Sequence, residues 1–390
     1  MTTRLIRSIG ELTTNDPSLG DGTPLGRLRG AAMVVDESRV LWVGPQSRAP
    51  DCDEVIDVDG AAVTPGFVDC HTHLVFAGER SDEFEARMSG ATYDGGGIAR
   101  TVAATRAAST SDLRTVSHAR AAALRRSGVT TLEVKSGYDL TVEGEARLLD
   151  VAASITDEVT FLGAHVVPPE FDRDAYVDLV CGAMMERCAP LARWADVFCD
   201  RGAFSVDESR AVLGAAAAAG LELRVHAQQL GLTGGVALAV EVGAASVDHC
   251  THVTDDDLEA LASSTTVAVL LPGAEFATRS RYPSARRFVD VGVTLAIATD
   301  CNPGTSYLTS MPIAMALAVR EMGLSADEAL YAATRGGAAA LRRPDLGHLG
   351  VGARADFLIL DAPRAAHLVY RLGDAVVARV ERVAPALTRP

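Results

Sequence analysis

Two histidines one residue apart, His71 and His73 in "DCHTHL", end an apolar run that opens from a Pro-Gly turn, "TPGFVDC". On a strand, side chains alternate between faces, so this spacing turns both imidazoles to one side, where they can share a divalent ion. Alone, the pattern arises by chance, and a pair of histidines at a strand edge is the plain alternative. Two more residues change the balance. His226 closes "LELRVH" and Asp300 closes "VTLAIATD", each at the end of an apolar run where an imidazole or carboxylate is costly unless paired or metal-bound. Three histidines and one aspartate, with a position left for water, describe a hydrolytic centre, because such an ion lowers the pKa of its water toward neutrality. Asp300 is then placed to accept that water's proton and pass it to a leaving nitrogen. His249, ending "SVDHC", is the candidate to polarise a carbonyl or hold an oxyanion; a fifth ligand and a structural histidine remain open for it, and His252 is read as structural.

These residues lie far apart in the chain, so the elements between them must bring them together. Eight apolar runs alternate with longer helix-compatible segments: "GFVDCHTH", "GVTTLEVKSG", "VTFLGAH", "ADVFCD", "LELRVHAQQ", "AASVDHC", "TVAVLLPG" and "VTLAIATDCN". That alternation is the signature of successive βα units on a parallel sheet. Ala-rich stretches such as "SHARAAALRRSG" and "ESRAVLGAAAAAG" have strong helix propensity and end on Gly, where a C-cap sits. Eight units predict a closed (β/α)8 TIM-like barrel, an α/β fold. His71, His73, Tyr138, His165, Asp200, His226, His249 and Asp300 all fall at or just past strand ends, which in such a barrel converge on one mouth. Both chain ends carry short β-type runs, "AAMVVDE", "RVLWVG" and "EVIDVDG" early and "ADFLILDA" and "AVVARVE" late. Neither end holds enough apolar residues for its own core. The expectation is therefore a small antiparallel β-sandwich domain from residues 1–65 plus 343–390, flanking a barrel at 66–342.

A length of 390 residues suits a barrel with a companion domain, and 48% hydrophobic with 22% charged residues is ordinary globular usage. A net charge of -15 with no Lys/Arg cluster argues against a nucleic-acid surface. The seven cysteines form no CxxC pair and read as reduced thiols. The start "MTTRLIRSIGEL" lacks a signal h-region, and no segment approaches a membrane span, so a soluble, cytoplasmic protein is expected. "GGGI", with Gly95 to Gly97, lacks the preceding strand and following Lys-Ser/Thr of a phosphate-binding loop and is read as a mobile loop near the mouth.

Longer blocks add a resemblance. "PGFVDCHTHLVFAGER", "GGGIARTVAATRAAS", "GVTTLEVKSGYDL", "FLGAHVVPPE" and "ATDCNPGTS", with the closing "GVGARADFLILD", resemble the imidazolonepropionases of the amidohydrolase superfamily over nearly the whole chain. The resemblance implies metal ligation by His71, His73, His226 and Asp300, and substrate contacts from Arg80, Tyr138, His165, Gln229, Asn302, Gly304 and Thr305. It implies one divalent ion, zinc or iron, a homodimer, and hydrolysis of 4-imidazolone-5-propanoate to N-formimidoyl-L-glutamate in histidine degradation. The residues agree: a guanidinium at Arg80 suits a propanoate carboxylate, and the "NPGT" turn could offer backbone N–H groups to an anion. After His226 the chain reads "AQQL", where the family commonly has an acidic residue before or at the position of Gln229. A neutral amide is no general base, so that role passes to Asp300 and His249, and Gln229 is left to read a ring nitrogen. Two-metal relatives use a carboxylated lysine on the fourth strand; here that strand ends "VFCD" and Lys135 falls on the second, which favours a single ion, whereas a different strand count would make Lys135 the bridge between two. The competing readings are another superfamily enzyme, such as a heterocycle deaminase, and a barrel that binds metal or ligand without turnover. Arg80 and the "NPGT" turn speak against a neutral heterocycle.

Overall fold

All eight apolar runs form strands. The computed structural model describes residues 2–91 and 97–383. From the N-terminus come β1 (Arg4–Thr13), β2 (Arg27–Val35), β3 (Val40–Pro45), β4 (Glu54–Asp57) and β5 (Ala62–Pro65). The barrel strands follow: β6 (Phe67–Asp69), β7 (Val129–Lys135), β8 (Glu158–Ala164), β9 (Trp194–Cys199), β10 (Glu222–Ala227), β11 (Ser246–His249), β12 (Val267–Leu270) and β13 (Leu295–Ile297). β14 (Phe357–Leu360) and β15 (Val377–Glu381) end the described chain.

Strands β6 to β13 lie side by side in sequence order, every adjacent pair parallel. A parallel bridge between Thr72 and Cys301 joins the first strand to the last just beyond their ends. Helices cover the outside, so β7 and β8 are buried along their whole lengths, which is why they read as apolar runs without alternation. The helices start and stop as their sequences dictate. A capping box between Ser205 and Glu208 opens Val206–Ala218, and just past that helix Gly220 adopts a left-handed φ of 84°.

The chain ends meet in one seven-stranded sheet ordered β15-β14-β5-β1-β2-β3, with β4 also on β1. Its core includes Ile6, Ile9, Met33, Val35, Leu349 and Phe357. Two features differ from the sequence reading. The sheet is mixed, because β1 runs parallel to both β4 and β5. Its longest strand, β1, falls in a segment where no strand is expected, since "RLIRSIGELT" mixes charge and apolar residues without clean alternation. A bulge between Ile6 and Ile9 lets β1 pair with β4 on one side of the break and β5 on the other. Gly95 and Gly96 of the "GGGI" loop lie outside the described residues. No helix among those described is long and apolar enough to cross a membrane.

Candidate active site

The chain leaving β6 carries His71 and His73 over the barrel rim, where backbone bonds set their place: Asp300 N–H donates to the His71 carbonyl (3.1 Å) and His73 N–H to that of Cys301 (3.0 Å). His226 stands on β10 and His249 ends β11. Asp300 and His249 both have positive φ, 51° and 81°, a conformation rare outside glycine that marks local strain at the rim.

Four donor atoms converge. His73 Nε2 lies 3.2 Å from Nε2 of both His71 and His226. Asp300 Oδ1 lies 3.5 Å from Nε2 of His71 and of His73. A tetrahedral ion with ligands at about 2.0–2.1 Å requires donor separations of roughly 3.3 Å. Burial, followed by neighbouring positive charge from Lys135 and His226, pushes the imidazoles of His71 and His73 far below their usual range, toward the neutral form that ligates. Burial raises the Asp300 carboxyl well above its usual range, leaving it in want of a cation. The donor set therefore fits a divalent ion. His249 offers a nitrogen within 4.8 Å of the donors of His71 and His226, and its Nδ1 is buried without a hydrogen-bond partner. Geometry alone thus admits it as a further donor or as a group facing the substrate.

Behind the donors lies a layer of which the sequence reading named only Lys135, and that only as a possible bridging ligand. Asp248 Oδ2 is 2.6 Å from His71 Nδ1, and Asp196 Oδ2 is 3.0 Å from His226 Nδ1. Lys135 sits on β7, with Nζ 2.8 Å from Asp196 Oδ2 and 2.9 Å from Glu133 Oε1. A signal was present: "LEVK", "ADVF" and "SVDH" place charges inside strands that are otherwise apolar.

One pocket gathers the expected residues. His73, Arg80, Tyr138, His165, His226, Gln229, His249, Asp300, Asn302, Gly304 and Thr305 line it, while His71 lies fully buried. Ile98, Val166 and Phe198 add an apolar wall that the sequence reading missed, since nothing marks an apolar residue as pocket-lining. Arg80, just before the helix Ser81–Met88, pairs through Nε (2.9 Å) and Nη2 (2.6 Å) with Glu83. The His165 ring stacks on His73 with centroids 5.5 Å apart, and its Nδ1 contacts the Gly137 carbonyl at 2.9 Å. Burial, then the nearby His226, lowers His165 to about 3, so it is neutral. Gln229 is held by its backbone N–H, which donates to Asp200 Oδ2 at 2.6 Å. Asp200 itself is turned to this loop and away from the pocket lining.

The "NPGT" turn corrects one expectation. Its N–H groups at Gly304 and Thr305 donate to Asn302 Oδ1 (2.8 and 2.7 Å), so they are not offered to an anion. Asn302 Nδ2 in turn donates to the Asp300 carbonyl (2.7 Å) and Thr305 Oγ1 (2.8 Å). Asn302 thereby braces the backbone at Asp300.

Comparison with known proteins agrees with this geometry. The amidohydrolase family profile matches residues 62–381. The chain is 61% identical to an imidazolonepropionase of Mycolicibacterium smegmatis over 384 residues, covering 98% of this chain and 97% of the relative. It is 58% identical to one from Streptomyces griseus, covering 98% of each. Among solved structures, N-isopropylammelide isopropylaminohydrolase from Burkholderia multivorans superposes with a TM-score of 0.71 at 22% identity, covering 97% of this chain and 96% of that one, a likeness of fold alone. A family profile spanning the whole barrel and near-full-length relatives at this identity lead to one conclusion: the chain belongs to the amidohydrolase family and, within it, to the imidazolonepropionases.

Proposed function

We propose that this chain hydrolyses the ring amide of 4-imidazolone-5-propanoate, giving N-formimidoyl-L-glutamate in histidine degradation, with one divalent ion held by His71, His73, His226 and Asp300. When bound, that ion supplies the Lewis-acid activation that makes a water nucleophilic near neutral pH, and three imidazoles with a carboxylate suit zinc or iron equally.

The chain's own residues do the rest. Glu83 occupies the Nε–Nη2 edge of Arg80, leaving the Nη1–Nη2 edge to receive the propanoate bidentately. Tyr138 and His165 hold the ring; with Nδ1 of His165 engaged by the Gly137 carbonyl, Nε2 is left for the substrate. Gln229 reads a ring nitrogen through its amide. The neutral imidazole of His249 donates a hydrogen bond to the carbonyl oxygen as negative charge develops there. Asp300 accepts the water's proton and returns it to the ring nitrogen as the C–N bond breaks, while the water oxygen ends in the new carboxylate. Thr305 and Asn302 keep the segment after Asp300 in place.

The observation that supports this reading is that Nε2 of His71 and of His226 each lie 3.2 Å from His73 Nε2 and Asp300 Oδ1 lies 3.5 Å from His71 and His73, with His73, His226 and Asp300 lining the same pocket as Arg80, whose Nη1–Nη2 edge has no hydrogen-bond partner among the described residues. A heterocycle deaminase shares the acid–base groups, yet a neutral substrate gives Arg80 nothing to bind. The test is loss of imidazolone absorbance with and without a chelator. Turnover that a chelator abolishes and added metal restores is expected; no ring loss by metal-replete protein would overturn the assignment. Unchanged hydrolysis by Asp300→Asn would overturn the role of Asp300.

The same reading assigns catalysis to 66–342 and support to 1–65 with 343–390, in a cytoplasmic homodimer. Seven free thiols suit a reducing compartment. Exposed Phe276, Tyr307 and Leu372 around one groove suit a subunit contact, which sedimentation measures.

A further inference from the structure

Beneath the donor atoms is a layer of charge that substrate cannot reach. Lys135 is fully buried, and its Nζ lies 2.8 Å from Asp196 Oδ2, 2.9 Å from Glu133 Oε1 and 4.0 Å from Asp248 Oδ2. Those same oxygens of Asp196 and Asp248 face Nδ1 of His226 (3.0 Å) and of His71 (2.6 Å). Two of the three imidazoles are therefore backed by carboxylates, and one ammonium reaches both. Arg224 also approaches Asp248 Oδ2 (3.5 Å), but its guanidinium is anchored to the carbonyls of Cys70 (2.7 Å) and Ala340 (3.1 Å). Asp196 has no such second cation among the described ion pairs.

A carboxylate at Nδ1 holds the proton there, leaves the Nε2 lone pair to face an ion, and fixes the ring's orientation. One oxygen of Asp196, Oδ2, faces both Lys135 Nζ (2.8 Å) and His226 Nδ1 (3.0 Å), so the ammonium fixes the side of the carboxylate that meets the ring. Lys135 is held in turn by Glu133 Oε1 at 2.9 Å.

We propose that Lys135 is a positioning residue for the metal centre, its ammonium anchoring the Asp196 and Asp248 carboxylates that orient His226 and His71. The inference rests on the metal assignment above. Removing the ammonium frees the Asp196 carboxylate to turn, and His226 then loses the partner that orients its ring, so ion affinity falls although no ligand has been changed. Loss of a group that orients metal ligands typically lowers affinity about 10- to 100-fold.

The test measures Co²⁺ affinity of the full-length protein by chelator competition, read from the visible absorption of the bound ion, beside thermal unfolding of the metal-free forms. Lys135→Met leaves unpaired buried carboxylates and can fail to fold, so Glu133→Gln/Lys135→Met, which removes one charge of each sign, is measured as well. The expected result is a folded double variant binding Co²⁺ about 10- to 100-fold more weakly, with an altered spectrum. A purely structural role would lower the unfolding temperature and leave affinity and spectrum unchanged; a folded variant with affinity within about threefold, outside that expected range, overturns the inference. If the unsubstituted protein fails to bind Co²⁺, the metal assignment falls and the inference with it; if it binds and the variants match it, the inference alone falls.

Discussion

Arg80 sits in a slot built on three sides, and Gly304→Ala tests whether that slot sets recognition of the substrate's carboxylate. Glu83 takes the Nε–Nη2 edge, Gly97 faces Nη2, and Gly304 packs so closely that a Cβ there would overlap Nη1. Gly304 does not have positive φ, so alanine meets no backbone strain and the perturbation is confined to the contact. Arg80 must yield, and Gly97 and Glu83 block its retreat. Tilting the guanidinium forfeits one of two charge-assisted hydrogen bonds to the propanoate, about 1.5–3 kcal/mol. At about 1.4 kcal/mol per decade that is roughly a 10- to 150-fold loss of kcat/KM. The propanoate is remote from the reacting carbonyl and its charge does not change during reaction, so the loss should appear in KM with kcat nearly intact. Initial rates of imidazolone loss across a substrate series measure both. Gly214→Ala is the control: it lies in the helix Val206–Ala218, nothing lies within 4 Å of the added Cβ, and KM should not move. A Gly304→Ala enzyme with KM within about threefold of the parent, or with kcat reduced at constant KM, would refute the placement of the propanoate on Arg80.

Three further outcomes are expected. His249→Asn should keep its ion, measured by metal content, while kcat falls about 100- to 1,000-fold; loss of the ion would make His249 a ligand instead. Glu275 is buried with Oε2 unpaired, and burial raises it to about 7 from 4.5. A raised folded pKa means this group favours the fold most below its unfolded pKa and loses that contribution as pH rises through about 7, a difference on the order of 3 kcal/mol. Glu275→Gln should therefore flatten the fall in unfolding temperature between pH 5 and 8, and a parallel pH profile in the variant would contradict the burial argument. Zn²⁺ at about 1,000 times its dissociation constant should stabilise the metal-free protein by about 4 kcal/mol in thermal unfolding, and an unchanged transition would argue that the donors do not form a site.

The barrel and its rim were legible in the chain because their signals are local. Strand runs, Gly-terminated helices and polar residues at strand ends are read within a dozen residues, and parallel βα order then dictates that His71, His226 and Asp300 meet. The resemblance in longer blocks carried the seven proposed substrate contacts, which line one pocket. Pairing across the fold was not legible. The parallel neighbours of β1 depend on a bulge and on strands some fifty residues away. Nothing in "AGERSDE" tells that Glu83 turns back to occupy Arg80, and nothing in "NPGT" tells that Asn302 consumes the turn's N–H groups. Least legible was the shared ammonium of Lys135, because whether a buried charge is a liability or a support depends on which opposite charges its own strand and two others bring within about 4 Å of it. Hydrophobic patterning specifies which residues go inside; only the closed barrel decides which of the buried charges become neighbours, since Coulomb energy depends on separations that no local pattern encodes.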